Sequence, residues 1–464
     1  MHVMMRSHPT MRLRPILKTL ALAGILSSLP VQAESIDLLT AFRLASEHDP
    51  QIAAAREQLQ ADREQLPQAR SLILPQIGLQ ADANRIWQDQ SLGDAPPFPI
   101  PDDSVSYNTY TVGVGLTQAL FRPDSYIRQR QARSVIDQAE INYRLAQQQL
   151  ALRVAESYFR VLEAQDAVTT FDAEVRAIER QLQRSERAFE LGAGTVTDVN
   201  EARARMDGAR AQRVAAQSEL RIARESLRRI IETPFEHVSG VGAEFDPEPP
   251  QPADAEAWAT LAEQHNLQVQ LAQSGLELAS SEIRRSRTQR LPQVDLVANY
   301  GRSYQGDGAN PTLGTSVEVD QASIGVQLSV PLYTGGAISS QVRAASAQRE
   351  VTYNQLLSAK REAAIGAESA YLGLLANMER VRALEQALRS ITSMEESVQR
   401  GLELGLRTTL DLLNVQRERF QTERELAAAR YGYLLTYMQL QAVVGEPLDE
   451  ELFALVNRYL MVNQ

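Results

Sequence analysis

Apolar and polar residues alternate along four segments of the chain. In the first segment, residues 77–84, the odd positions hold Ile, Leu, Ala and Ala and the even positions hold Gly, Gln, Asp and Asn. The segments 110–117, 294–300 and 324–330 alternate in a similar way. A period of two is typical of a β-strand with one apolar and one polar face. The sequence therefore predicts two pairs of amphipathic strands, each pair joined by a polar loop.

A different period, close to 3.5, follows the second and fourth strands. Residues 124–190 contain neither proline nor glycine, and a helix over 122–190 would be about 100 Å long at about 1.5 Å per residue. In the later stretch, nine apolar positions from Leu374 to Leu402 span 28 residues in eight steps. A mean step of about 3.5 is the coiled-coil period. Each long helix is predicted to end at a glycine turn and return, over 196–231 and 409–444.

The order of elements repeats along the chain. Residues 70–79 recur as 287–296 at a shift of 217, and the block 190–198 recurs as 403–411 at a shift of 213. Conserved order and spacing of such blocks indicate two copies of one unit. The predicted organisation is a signal peptide over 1–33, a first structural repeat over 34–232, a proline-rich connector over 233–256, a second repeat over 257–447 and a C-terminal segment over 448–464.

The N-terminus has the pattern of an export signal. Four basic and no acidic residues precede a short apolar stretch over 19–29, and Val-Gln-Ala at 31–33 fits a cleavage site. The formal net charge of the chain is −11, and removal of the four basic residues leaves −15. We therefore expect an exported, acidic mature chain that begins at Glu34.

Composition narrows the classes of function. After the leader, no stretch approaches the 18 or more uncharged apolar residues of a membrane helix, which excludes a polytopic helical membrane protein. The absence of cysteine excludes thiolate metal sites, cysteine nucleophiles and lipid-modified cysteine, and the acidic charge argues against nucleic-acid binding. No HExxH, P-loop or Gly-x-Ser-x-Gly motif is present, so we predict no enzyme, no catalytic residue, no metal and no cofactor.

Four amphipathic strands are too few to close a barrel, because known bacterial barrels begin at eight strands. We therefore expect several protomers to share one barrel, with apolar side chains toward lipid and polar side chains toward a wet lumen. The helices are too long for a globular core and indicate a tube. Aromatic residues toward the loop ends of the strands are candidates for an interfacial girdle. They are Trp87, Tyr107, Tyr300 and Tyr304.

Several local motifs carry a family resemblance. They are the opening 35–39, the Asp49-Pro50 step, residues 69–76, the two Leu-Gly-x-x-Thr-x-x-Asp turns at 191–198 and 404–411, and the closing 429–431 with Gly445. With these motifs the mature chain resembles the TolC family of outer-membrane efflux and type I secretion channels. The resemblance implies an α+β membrane protein with an internally duplicated protomer of four β-strands and long coiled-coil helices. It also implies that the protomer trimerises into a 12-stranded outer-membrane β-barrel plus a periplasmic α-helical barrel.

The resemblance also implies function, location and partners. The chain would be the exit duct of a tripartite export system in a Gram-negative outer membrane, passing proteins or small toxic compounds. Its partners would be two further copies, a periplasmic adaptor (membrane fusion) protein, an inner-membrane ABC or proton-driven transporter and outer-membrane lipid, without nucleic acid. Type I secretion and a dedicated pump channel are competing uses, and the missing cysteine favours the first. A coiled-coil adaptor or tether without a pore is the alternative function, but it does not explain the strands.

The resemblance places the two glycine turns at the periplasmic tips, where the adaptor docks. Glycine suits a positive φ there, threonine can cap the returning helix, and a carboxylate in its first turn is favourable, so capping alone competes with a gating role for the carboxylates. The implied docking residues are Leu191, Gly192, Thr195, Leu404, Gly405 and Thr408.

The implied periplasmic gate consists of Asp198, Arg407 and Asp411. Arg407 and Asp198 match residues that hold the entrance constricted in the family, and three copies of Asp411 would form a cation-favouring ring. Two positions depart from the family pattern. Leu402 stands where a tip tyrosine is found, and Asn414 stands where a second aspartate can lie. We therefore expect one gate hydrogen bond fewer and a weaker anionic ring.

Overall fold

The computed structural model describes residues 36–90, 103–240, 245–309 and 315–461. The expected signal peptide over 1–33 lies outside the described residues, as do 91–102 and 310–314 of the two polar loops.

The described elements follow the same order in each half of the chain. The first half contains α1 (Leu38–His48), α2 (Pro50–Arg63), α3 (Gln65–Ser71), β1 (Gln76–Gln90), β2 (Asp103–Phe121), α4 (Pro123–Glu190) and α5 (Val196–Ile231). The second contains α6 (Ala255–His265), α7 (Leu267–Thr288), β3 (Gln293–Gln305), a 3-10 turn (Asp307–Ala309), β4 (Val317–Ser329), α8 (Ala337–Glu403), α9 (Thr409–Val443) and α10 (Glu450–Met461).

The predicted returning helices are confirmed, the second ending one residue early, at Val443. Ahead of the first strand, the helical stretch from residue 51 toward 74 is divided between α2 and α3 at Glu64. Pro67 explains the break, because it has no N–H to donate and its ring clashes with the carbonyl four residues earlier. No helix within the described residues combines the length and the apolar character needed to cross a membrane.

The strands form one antiparallel sheet in chain order, β1-β2-β3-β4. They run to 15, 19, 13 and 13 residues, longer than the 9–11 residues that a tilted membrane strand requires. Pairing of β2 with β3 joins the two halves of the chain. At this junction Gly113 pairs with Gly301. A Cβ on Gly301 would lie 3.2 Å from the Val112 carbonyl oxygen, so the close approach of the two backbones favours glycine. Among the described residues, the outer edges of β1 and β4 pair with no strand.

The strand register places the apolar residues on one face of the sheet. Leu79 pairs with Val114, and Val114 pairs with Tyr300. Leu79 is 74% exposed and Ile324 is 78% exposed, so this apolar face is uncovered in the single chain. The opposite face carries small and polar residues such as Asn299, as the alternation predicts.

The predicted aromatic girdle is wrong at one position. Trp87, Tyr300 and Tyr304 lie on the apolar face, but Tyr107 pairs with Ile86 and therefore lies on the polar face. A single-residue step along a strand reverses the face, so an aromatic residue joins a girdle only if it lies an even number of positions from the other lipid-facing residues of its strand. Tyr110 stacks on Tyr304 with 6.0 Å between ring centroids and supplies a further aromatic ring on the apolar face.

The long helices pack as two antiparallel hairpins, α4 with α5 and α8 with α9. Apolar residues at steps of three and four are mostly buried in the middle of α4 and of α8. They include Val175, Ile178, Leu182, Leu374, Val381 and Ile391. Phe189 and Met394 continue the same period but are 49% and 42% exposed in the single chain.

The largest apolar core surrounds the middle of α4 and α8, where the start and the end of the described chain meet. Ile36 forms a parallel bridge with Val238, and the Tyr158 hydroxyl donates to the Ile36 carbonyl at 3.1 Å. Phe42 of α1 stacks on Phe453 of α10 with 4.2 Å between ring centroids. These contacts hold both chain ends against the helical body, about half-way between the sheet and the hairpin turns.

Candidate functional site

Both hairpin turns have the same backbone geometry. Gly192 and Gly405 have φ values of 73° and 70°, in the left-handed region that glycine adopts without strain. The next residue in each turn donates its N–H back to the long helix: Ala193 to the carbonyl of Ala188, and Leu406 to that of Gly401, both at 2.8 Å. This is the Schellman arrangement, which satisfies the last carbonyls of α4 and α8.

Each returning helix begins with a reciprocal capping box. The Thr195 hydroxyl accepts from the N–H of Asp198 at 3.2 Å, and the Asp198 carboxylate accepts from the N–H of Thr195 at 3.1 Å. Thr408 and Asp411 form the same pair of bonds at 3.1 and 3.0 Å. The predicted threonine caps and first-turn carboxylates are therefore present at both tips.

Asp411 is partly exposed, and its charged form is stabilised by neighbouring groups. Hydrogen bonds from the backbone N–H and the hydroxyl of Thr408 lower the pKa of Asp411, and the positive charge of Arg407 adds to the effect. The carboxylate is therefore ionised at neutral pH, as an anionic ring requires.

Arg407 lies in the second turn, one residue before the cap, and is exposed. Its guanidinium forms no hydrogen bond or ion pair with another described residue. The single chain therefore contains no link between Arg407 and Asp198, the pair singled out by the resemblance. These two residues come from different hairpins.

The tips also expose several large apolar side chains. Leu191 and Leu404, both singled out by the sequence, are 83% and 74% exposed. Leu406 is 77% exposed and was missed. Comparison of the two repeats would have identified it. Leu406 corresponds to Ala193 at the shift of 213, so the second tip carries a larger apolar side chain than the first.

A small core joins the two hairpins just above the tips. Leu413 of α9 is buried among residues of the first hairpin, including Val175 and Met206. At its side, an Arg205 Nη donates to Asn414 Oδ1 at 3.0 Å. The residue at the position of the second aspartate is therefore a neutral amide that is bound to an arginine.

Further from the tips, two polar contacts join α9 to α4. Arg424 pairs with the buried Glu174 at 3.2 Å, and the Tyr431 hydroxyl donates to Asp166 at 2.5 Å. Burial raises the pKa of both carboxyl groups, although their partners act in the opposite direction. Across the described residues, no three histidine or carboxylate side chains are grouped closely enough to hold a metal ion.

Comparison with known proteins places this arrangement in a family. The family model described as outer membrane efflux protein matches residues 41–232 and 258–446. The chain belongs to the outer membrane efflux protein family. The outer membrane protein TolC of Vibrio cholerae is 32% identical over 442 residues, which cover 95% of this chain and 97% of that protein. The alkaline protease secretion protein AprF of Pseudomonas aeruginosa is 30% identical over 94% of this chain and 89% of its own length.

A solved structure shows the same fold. A crystal structure of CusC matches 88% of this chain and 92% of its own with a TM-score of 0.74, at 16% identity. The expected fold class, four antiparallel strands combined with long helices, is thereby confirmed. As a member of this family, the protein is an export channel in the outer membrane of a Gram-negative bacterium and is not an enzyme. The alternative of an adaptor or tether without a pore is excluded by this membership.

Proposed function

We propose that this outer membrane efflux protein is the exit duct of a tripartite export system, and that its two hairpin tips form both the gate and the adaptor-docking site. The observation that carries the proposal is the construction of the tips. A doubly capped backbone presents exposed leucines together with an exposed arginine, whose guanidinium has no hydrogen bond or ion pair among the residues that the structure describes. Such a surface is suited to contacts between chains.

The proposed assembly is a homotrimer with two structural repeats per protomer, 34–232 and 257–447. The uncovered apolar face of the sheet and the unpaired edges of β1 and β4 support it. An unpaired backbone edge is unfavourable in a bilayer, because lipid offers no hydrogen bonds. Edge-to-edge pairing of three sheets of four strands closes a 12-stranded barrel, and the hairpins continue it as a periplasmic tube.

For the gate, we propose that Arg407 of one protomer binds Asp198 of a neighbour in the closed state, with Asp411 forming the anionic ring. Support comes from the exposed position of Arg407, from the partial exposure of Asp198 and from the ionised state of Asp411. Opening then consists of outward movement of the tips that separates these charges.

The gate is tested by the single-channel conductance of Arg407→Ser in planar bilayers. Loss of the link loosens the closed state, so we expect a higher conductance. Arg400→Ser is the matched control, because it removes the same charge from the last turn of α8, just before the tip turn. Among the described residues, the Arg400 guanidinium contacts Glu396 of its own helix. Unchanged conductance in Arg407→Ser, or an equal rise in the control, contradicts the gate.

For docking, we propose that the adaptor covers the six tip residues predicted from the sequence, with Leu404 at the centre. The chain has no native cysteine, so a single introduced thiol reports one position. Leu404→Cys is expected to cross-link to the adaptor, whereas Ile222→Cys, which is 58% exposed but far along α5, is not. A cross-link at Ile222 without one at Leu404 contradicts the docking site.

For cargo, we propose type I secretion of a protein, with an inner-membrane ABC transporter as the energy source. The support is the similarity over nearly the whole chain to AprF, whose name assigns it to alkaline protease secretion. Deletion of the chain is expected to abolish secretion of a substrate of the partner exporter. Normal secretion with increased drug sensitivity would instead assign the channel to a pump.

A further inference from the structure

Arg407 rests on a glycine of the preceding helix. A Cβ placed on Gly401, in the last turn of α8, would lie 2.7 Å from Arg407 Cγ and 3.4 Å from Arg407 Cβ. The N–H of Arg407 also donates to the Gly401 carbonyl at 3.2 Å. The start of the arginine side chain therefore occupies the space that a side chain at 401 would fill.

The first tip has the same pair in reverse. At the shift of 213, Ala188 corresponds to Gly401 and Gly194 corresponds to Arg407. There, a Cβ on Gly194 would lie 3.1 Å from Ala188 Cβ. Each tip thus has room for one side chain where the turn passes the end of the long helix. At the first tip the helix supplies that side chain, and at the second tip the turn supplies it.

The backbone does not account for glycine at 401. The left-handed position of the second turn is occupied by Gly405, and Gly401 is absent from the residues with positive φ. Glycine inside a helix costs about 1 kcal/mol relative to alanine. A glycine at this position is therefore unfavourable for α8 itself. The contact with Arg407 requires it, because a larger residue at 401 would overlap the arginine side chain.

We propose that Gly401 is a positioning residue for the gate: it seats the stem of Arg407 across the end of α8 and so sets the direction of the guanidinium. The inference rests on the proposed gating role of Arg407. Because the close contact involves Cγ, a methyl group at 401 forces a different χ1 rotamer and moves the whole charged end. A guanidinium already aimed at its partner loses less conformational freedom when the closed state forms.

The test is the conductance of Gly401→Ala in the full channel. We expect a rise equal in direction to that of Arg407→Ser, and no further rise when the two changes are combined, because both remove the same link. Gly208→Ala is the matched control, since it makes the same substitution in a tip-proximal helix at a position with open space around it. The control is expected to conduct like the wild type.

The outcomes separate this inference from the gate itself. If Arg407→Ser changes conductance and Gly401→Ala does not, Gly401 has no positioning role. If Arg407→Ser has no effect, the gate and the inference both fail. Should Gly401→Ala give no folded trimer, the double variant Gly401→Ala with Arg407→Gly, which carries the residues of the first tip, is expected to fold. A double variant that also fails to fold overturns the proposed seat.

Discussion

At the first hairpin tip the residues between the turn glycine and the cap are Ala193 and Gly194, and at the second they are Leu406 and Arg407. The positive φ and the capping boxes are the same, and the backbone hydrogen bonds differ only by the additional bond from the Arg407 N–H to the Gly401 carbonyl. The duplicated chain has kept one turn geometry and changed only what that turn presents. The second tip presents an apolar and a cationic side chain, whereas the first contributes mainly the carboxylate of Asp198.

The hairpins also differ in how their own helices are linked. In the first, the Arg203–Glu186 side chains are 55% and 40% exposed, and exposed pairs contribute about 0–1 kcal/mol. In the second, the Arg419–Glu395 side chains are 20% and 17% exposed, with 2.6 Å between nitrogen and oxygen. The Arg419–Glu395 pair of the second hairpin is thus less accessible to solvent, and less screened by salt, than the Arg203–Glu186 pair of the first.

The largest effect should come from the contact that joins the hairpins. Leu413→Ala leaves a cavity among residues of the first hairpin, and such truncations cost about 2–5 kcal/mol. We expect a lower urea midpoint for the solubilised channel together with a higher conductance. Leu404→Ala, at an exposed tip position, should leave the midpoint unchanged. Equal midpoints for the two variants would show that the hairpins are not joined there.

The shared backbone of the tips predicts equal costs for Gly192→Ala and Gly405→Ala. Both glycines have open space for a methyl group, so the cost arises from the left-handed φ alone, about 1–2 kcal/mol. Differential scanning calorimetry should show a similar decrease in melting temperature for each. A decrease at one tip only would mean that the two turns do not share this geometry in the assembled channel.

Asn414→Asp tests the neutral position beside the anionic ring. The new carboxylate would lie in hydrogen-bond contact with Arg205, which would neutralise it, so we expect little gain in cation selectivity from this change alone. Combined with Arg205→Gln, it should give a clear gain. Reversal potentials in asymmetric salt measure both. A full gain in the single variant would contradict the contact between Arg205 and Asn414.

The smallest effect is the pH dependence of the second tip. Because the pKa of Asp411 is lowered, its contribution to tip stability is present above the ordinary aspartate pKa of about 3.9 and is lost only as pH falls through the lower folded value. Cation selectivity is therefore expected to persist below pH 4. The Asp411→Asn channel should show no such transition, and a transition well above pH 4 would contradict the direction of the shift.

Sequence patterns predicted those parts of the protein that depend on neighbouring residues. The bounds of α5, the two caps and the positive-φ glycines involve partners within six positions along the chain. The error at Tyr107 shows the limit of this approach. Its strand was predicted correctly, but the predicted alternation began at residue 110. Tyr107 lies an odd number of positions from Tyr110 and is therefore on the polar face if the strand continues to 107 without a bulge, which the pairing with β1 shows.

The duplicated plan, the strand and helix types and the construction of each tip can be predicted from the amino-acid sequence alone, because they follow from periodicity and from hydrogen bonds between near neighbours. Which residues of the two hairpins meet depends instead on how the helices pack in three dimensions. Arg205 and Asn414 are 209 positions apart, and no local preference brings them together. Packing of α9 against the first hairpin does so. The contact of Arg407 with Gly401 lies between these cases. The two residues are six positions apart in one turn, but the lack of space for a side chain at 401 follows only from the three-dimensional structure.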